Sequence, residues 1–521
     1  MRYFGSSLIA ILLSLRSPCQ AAKRPSLSGP SYKAVHSRFS NSSLRVKSWP
    51  AEQTQLCPAA VAHHAGWADI DRYHEARHNP ENAPLLVWLQ GEPGLSSLHG
   101  MLYEHGPCLA DDKGGTRDNA LSWTEAFNVV YIDQLADVGF SYASDTDHGA
   151  YPSDSEGLSS DLINFLKIFY EAFPHLADND LHIGGDSYAG HGISTFASTI
   201  IEYNDFLLSA PLGPLVNETI PLRSVILGNP LIDPSVQLPS LYDASCFDYR
   251  NFPPRVSGEN CGKALTKLDA CETALRTCSR NPQEPIFFDA AIQSCLEEFL
   301  EPLRAANTST YDRRRIDCGS IDECHSDIDR PSAFLNSAEV LTDLLEVPSE
   351  TEGKKKSWAR ISDPARKWHT LSGEGLISST KQLGTILQAG RKSDMSRPAT
   401  PGPIDLLVYS GVTDPMFNPD AIFEALRGIK WQGRAPFRAV PWEELPWAPS
   451  KGQKSGRVKA FSNLWMIELE EAGRMASYDQ PESTLEMMKL WLLHLRGESV
   501  LGQQREKLAD LGQKTLQVEE L

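Results

Sequence analysis

Past residue 414 the chain holds a single histidine, His494, and nowhere does it hold an apolar run long enough to span a bilayer. The first scarcity limits where a late-chain proton acceptor can come from, and the second predicts a soluble mature protein. A basic surplus is missing as well. Lysine and arginine number 49 against 67 aspartates and glutamates, a net charge of −18, which argues against nucleic acid and anionic membranes as partners. No spacing suits a metal, no glycine-rich loop suits a phosphate and no segment repeats, so no metal or cofactor is expected.

What is present suits an oxidising compartment. Met1-Arg2, a short apolar core over 8–13 and small residues near Cys19-Gln20-Ala21 read as a signal peptide ending near residue 22. That places the protein in the secretory pathway, extracellular or vacuolar, where the sequons at Asn41, Asn217 and Asn307 are usable. Ten cysteines fit the same setting, seven of them between 246 and 324. Cys57 and Cys108 lie apart, and sequence alone does not decide whether they pair.

Apolar runs at 85–89, 129–132, 181–183, 225–227, 406–409 and 464–469 alternate with helical stretches. The order predicts an α/β protein with a largely parallel sheet and helices on both faces. The third run leads into Gly185-Asp186-Ser187-Tyr188-Ala189-Gly190, and 193–197 then reads as a helix. A serine on a sharp strand-to-helix turn projects its hydroxyl, and the next backbone N–H, that of Tyr188, points at a developing oxyanion. Near the other end, Ser483 and Glu486 form a capping-box pattern that predicts a final helix over 484–495 with His494 at its exposed end.

Around this motif the chain resembles the serine carboxypeptidases of the carboxypeptidase Y type. The resemblance is carried by Gln90-Gly91-Glu92-Pro93-Gly94-Leu95-Ser96-Ser97, by Tyr103-Glu104-His105-Gly106-Pro107 and by Tyr131-Ile132-Asp133-Gln134. Leu227-Gly228-Asn229 and Val408-Tyr409-Ser410-Gly411 with Asp414 and Asn418 continue it, collinear from about residue 65 to 497. The resemblance implies an α/β-hydrolase fold that releases C-terminal amino acids from peptides through an acyl-enzyme. It implies Ser187 as nucleophile, Asp414 as catalytic acid, and backbone oxyanion donors at Glu92 and Tyr188. Gln90, Gly91, Glu104 and Asp186 would hold the substrate carboxylate. It further implies the disulfides Cys246–Cys261, Cys271–Cys295 and Cys318–Cys324, leaving Cys278 without its usual partner. Leu95 replaces a cysteine that ties the oxyanion loop to the insertion, so that loop is expected to be less constrained. An aromatic-rich strand usual before residue 75 is nearly absent.

The departure that matters most is at the histidine position. Gly473, Met475, Asp479 and Pro481 fix the register, and the residue between the first two is Arg474. A guanidinium has no lone pair to accept the Ser187 proton, and its pKa lies above about 12. Loss of the histidine in a triad costs on the order of a millionfold in turnover. Arg474 is expected to form a charge-assisted pair with Asp414 instead. The sequence thus predicts a serine carboxypeptidase-family protein of strongly impaired activity. The alternatives are an inactive relative that binds peptides or acyl groups, and an acyltransferase. The implied organisation is a signal peptide at 1–22, core at 23–233, a disulfide-rich helical cap at 234–349, core at 350–500 and a polar tail at 501–521.

Overall fold

The computed structural model describes residues 76–91, 94–134, 136–141, 155–209, 218–281, 284–304, 309–316, 318, 324–341, 357–389, 403–447, 449 and 455–498, with strands at 10–12, 31–36, 43–49, 63–68 and 71–74. They fall into two compact units, Met1–Leu222 with His325–Glu374, and Arg223–Cys324 with Gly375–Leu521. Of the segment the sequence assigns to a cap, 234–324 groups with the second unit and 325–349 with the first.

In the first unit, strand Leu85–Leu89 lies between two parallel partners, Asn128–Tyr131 and Leu181–Asp186. All five of its side chains are buried. A parallel strand covered on both faces needs a continuous apolar run, which is why this element is visible in the sequence. Helices Ser155–Ala172 and Ala189–Leu208 supply apolar faces, with Phe165, Phe169, Ile193 and Phe196 among the buried residues. Where the sequence suggested a nearly absent strand, Asp71–His74 pairs antiparallel with Asn128–Tyr131. His63–Ala68, Ser43–Trp49 and Ser31–His36 extend this antiparallel edge. Within the predicted leader, Ala10–Leu12 pairs with His63–Ala68 and Asp71–His74, strands that also pair directly through His63 and His74.

In the second unit, Leu222–Gly228, Asp405–Gly411 and Leu464–Leu469 are parallel, and Gly456–Phe461 adds antiparallel to the last. Both units are therefore α/β, each with a group of parallel strands, Leu85–Leu89 with its two partners in the first and Asp405–Gly411 with its two in the second, extended by antiparallel strands; this is the α/β class expected from the sequence. Helices Pro234–Cys246 and Gly258–Arg280 are joined by Cys246–Cys261, and Cys271–Cys295 ties the second to the segment that follows. Ala264, Leu275, Phe288 and Phe299 fill the space between them. Cys318 bonds Cys324, while Cys278 is a buried free thiol whose pKa burial pushes up to about 11. Cys108 is disulfide-bonded to a partner outside the described residues.

Two local expectations fail at the C-terminal end. The last helix is Pro481–Leu495, with Pro481 in its first turn, Ser483 buried inside it and no side-chain cap at Gln480. Proline's fixed φ and missing N–H suit that first position, so the start moves upstream and the Ser483/Glu486 box does not form. Glu486 binds Lys489 Nζ at 2.8 Å instead. His494 is not a surface residue. Its Nε2 lies 3.2 Å from Asp405 Oδ1 and its ring 4.5 Å from that of Trp465, anchoring the helix to the start of a strand.

Candidate functional site

Ser187 follows strand Leu181–Asp186 by one residue and precedes helix Ala189–Leu208 by two. Its φ is 53°, the left-handed region that a non-glycine residue enters at a cost of about 1–2 kcal/mol. The turn is possible because Gly185 has no side chain: a Cβ there would overlap the Leu89 carbonyl oxygen and the Ile193 side chain. Tyr188 is in right-handed helical conformation at the mouth of the helix, and its carbonyl accepts from the His191 N–H at 3.0 Å. Burial, and then the charge of Glu374, push its phenol well above the usual tyrosine range.

The four residues expected to hold a substrate carboxylate come together in this unit. Gln90 Nε2 donates to Glu104 Oε1 at 2.9 Å and to Asp186 Oδ2 at 3.2 Å, and the Gly91 N–H donates to Asp186 Oδ1 at 2.6 Å. Trp88 Nε1 fixes the other end of the Gln90 amide by donating to Oε1 at 2.9 Å. One amide thus spans two carboxylates, all three side chains buried. Gly91 is obligatory, since a Cβ there would overlap the Asp186 carbonyl.

Glu92, the expected first oxyanion position, lies outside the described residues, as do Asn41, Asn217 and Asn307. The chain just beyond Glu92 is held more firmly than the loss of a cysteine at Leu95 suggests. Leu95 bridges Ile361, the Ser96 N–H donates to Arg360 O at 3.0 Å, and the Ser362 N–H donates to Gly94 O at 2.9 Å. Ser96 Oγ accepts from Trp358 Nε1 at 2.9 Å and donates to Asp133 Oδ1 at 2.6 Å.

Asp414 and Arg474 belong to the second unit. Asp414 is fully buried three residues past strand Asp405–Gly411. Its Oδ1 accepts from the N–H groups of Met416 and Phe417 at 2.8 and 3.1 Å, and its Oδ2 from Asn229 Nδ2 at 2.8 Å. Burial raises its pKa, opposed by Arg474 and these three donors. Asn229, itself at φ 40°, holds the Asp414 carboxylate, a contact its place in Leu227-Gly228-Asn229 does not disclose.

Arg474 sits on a turn fixed by its own backbone. Its N–H donates to Tyr311 O at 2.8 Å, and the Gly473 N–H donates to Asp479 Oδ2 at 2.7 Å. The guanidinium stacks 4.1 Å from the Tyr311 ring and 4.9 Å from that of Phe417. Its Nε is 3.7 Å from Asp414 Oδ2, so Arg474 pairs with Asp414 as the sequence led one to expect, at ion-pair distance and beyond hydrogen-bond length. The carboxylate oxygens are already occupied by neutral donors, and the aromatic rings set the guanidinium's position.

Among the described residues no helix is long and apolar enough to cross a membrane, and no His/Cys/Asp/Glu group is arranged to hold a metal. The sequence profile of a family described as serine carboxypeptidase matches residues 61–494. Carboxypeptidase Y homolog A of Uncinocarpus reesii is 28% identical over 479 residues, covering 89% of this chain and 80% of that protein. Its namesake in Neurospora crassa is 28% identical over 472 residues, covering 89% and 77% respectively. In fold, the chain is similar to Kex1(delta)p, a prohormone-processing carboxypeptidase from Saccharomyces cerevisiae. The TM-score is 0.62 at 19% identity, covering 93% of this chain and 91% of that one.

Proposed function

The chain belongs to the serine carboxypeptidase family, and from that premise we propose that it keeps the family's peptide-end pocket around Ser187 while its hydrolytic activity is strongly impaired. The family reaction passes through an acyl-enzyme on the serine, with the histidine accepting and returning the proton. Ser187, Asp414 and residue 474 take the positions of nucleophile, acid and base. The observation that carries the proposal is the seating of Arg474 between Tyr311 and Phe417 beside Asp414. A guanidinium has no lone pair with which to take up a proton, so residue 474 cannot act as the base.

A second reading, an inactive relative that binds peptide C-termini or acyl groups, is favoured by the intact assembly of Gln90, Gly91, Glu104 and Asp186. These residues would bind a terminal carboxylate whether or not the acyl bond is cut. The three disulfides among 246–324 support passage through the secretory pathway to an extracellular or vacuolar site.

Mass-detected labelling of Ser187 by a fluorophosphonate tests the proposal, with Arg474→His and Ser187→Ala measured alongside. Wild-type protein should label at least about a thousandfold more slowly than Arg474→His, since base loss costs on the order of a millionfold in full turnover. Equal labelling of the two would sink the proposal.

A further inference from the structure

We propose that His105 is a positioning residue for the pocket formed by Gln90, Gly91, Glu104 and Asp186, its ring holding the Trp88 indole that fixes the Gln90 amide. The inference rests on the reading that these four residues receive a peptide's terminal carboxylate, and it concerns the first unit alone.

Gln90 decides the orientation of that pocket. Its Nε2 donates to Glu104 Oε1 and Asp186 Oδ2, and its Oε1 accepts from Trp88 Nε1 at 2.9 Å. Turning the amide over would set its oxygen against two carboxylates and its NH2 group against an N–H, so the direction of the Trp88 indole decides which way the amide lies. Trp88 is a strand residue, paired in register with Tyr131. The His105 ring meets its indole edge-on at 4.8 Å, and Trp123 meets the same indole edge-on at 5.0 Å. His105 and Trp123 are stacked on each other at 3.9 Å, 9° from parallel. The three rings form one packed set in which Trp88 is the member that reaches Gln90.

His105 is held from its other sides as well. Its Nδ1 lies 3.0 Å from the Tyr131 hydroxyl, a bond that fixes the rotation of the ring. The His105 carbonyl accepts from Ser122 Oγ at 3.0 Å and the Gly106 carbonyl from Asn119 Nδ2 at 2.9 Å, so the segment that carries Trp123 also fixes the backbone next to Glu104. A Cβ on Gly100 would overlap Gln90 Oε1 and lie 3.5 Å from His105 Nε2, so the ring and the amide look onto the same bare α-carbon. Burial holds the His105 pKa at about 3. The ring is therefore neutral and acts by shape and hydrogen bonding, without adding charge beside the two carboxylates.

The test is fluorescence anisotropy with a fluorescein-labelled hexapeptide ending in a free carboxylate, against the same peptide ending in a carboxamide, on the full chain carrying Ser187→Ala to prevent turnover. Ser187→Ala should bind the acid at least about tenfold more tightly than the amide, as charge-assisted hydrogen bonds to a carboxylate require. Adding His105→Leu should cut that ratio at least about fivefold. His105→Phe, which keeps a ring against Trp123 and loses the bond to Tyr131, should cut it about threefold. Phe169→Leu, a core change on helix Ser155–Ala172, should lower the melting temperature without moving the ratio. A ratio unchanged in the His105 variants that circular dichroism shows to be folded, or lowered equally by Phe169→Leu, would overturn the proposal while leaving the pocket in place. No preference for the acid in Ser187→Ala itself would overturn the reading of the pocket and the proposal with it, so the two failures are told apart.

Discussion

Replacing Asp479 by asparagine should remove a pH-dependent weakness from the turn that carries Arg474. Asp479 is buried, and its pKa rises from the usual 3.8 to about 6. Burial is the main cause, with Asp312 adding to it, while Arg314, the Gly473 N–H and Arg315 oppose it. Between pH 3.8 and about 6 the folded protein therefore binds more protons at this group than the unfolded chain does. The stabilisation from holding the acid neutral is complete below 3.8 and lost as pH rises through about 6. The difference amounts to about 3 kcal/mol. The asparagine side chain would be neutral at every pH and would keep an oxygen for the Gly473 N–H. Asp312 shifts the other way, because the bonds from Arg314 overcome its burial, so its effect falls below the usual carboxylate range. Urea unfolding followed by tryptophan fluorescence should find variant and wild type similar at about pH 4 and the variant favoured by up to about 3 kcal/mol at about pH 7. A stability difference that stays constant across this range would refute the reasoning.

Three further outcomes follow from geometry. Gly91→Ala should destabilise by on the order of 3 kcal/mol or prevent folding, read as lost secretion or a lowered melting temperature, because the new methyl overlaps the Asp186 carbonyl. Removing Cys271–Cys295, which joins residues 24 apart in sequence, with a paired serine substitution should cost about 3 kcal/mol in urea unfolding. Trp358→Phe removes the buried 2.9 Å bond to Ser96 and should cost about 1 kcal/mol, seen as faster amide exchange over residues 94–98.

The sequence discloses the strands well where they are buried on both faces. Leu85–Leu89 and Leu464–Leu469 have the boundaries read from their apolar runs. It also discloses the turn at Ser187, since glycines on both sides of a serine between strand and helix leave few other conformations. The helix start at Pro481 competes with a plausible cap two residues later, and only the chain's path from Gly473 to Asp479 decides between them. The Asn229 and Trp358 contacts join residues 185 and 262 positions apart, and no local pattern encodes such pairs. Asp479 serves in the sequence only to set register, whereas in the fold it receives the Gly473 N–H and faces two arginines.

The tie between Gly94–Ser96 and Arg360–Ser362 has a further consequence. Backbone hydrogen bonds and one Trp–Ser contact make this tie, with no cystine in it. The attachment of this loop is thereby uncoupled from thiol chemistry. A reductant able to open Cys246–Cys261 and Cys271–Cys295 would leave it closed, while a denaturant would release it by degrees and reversibly.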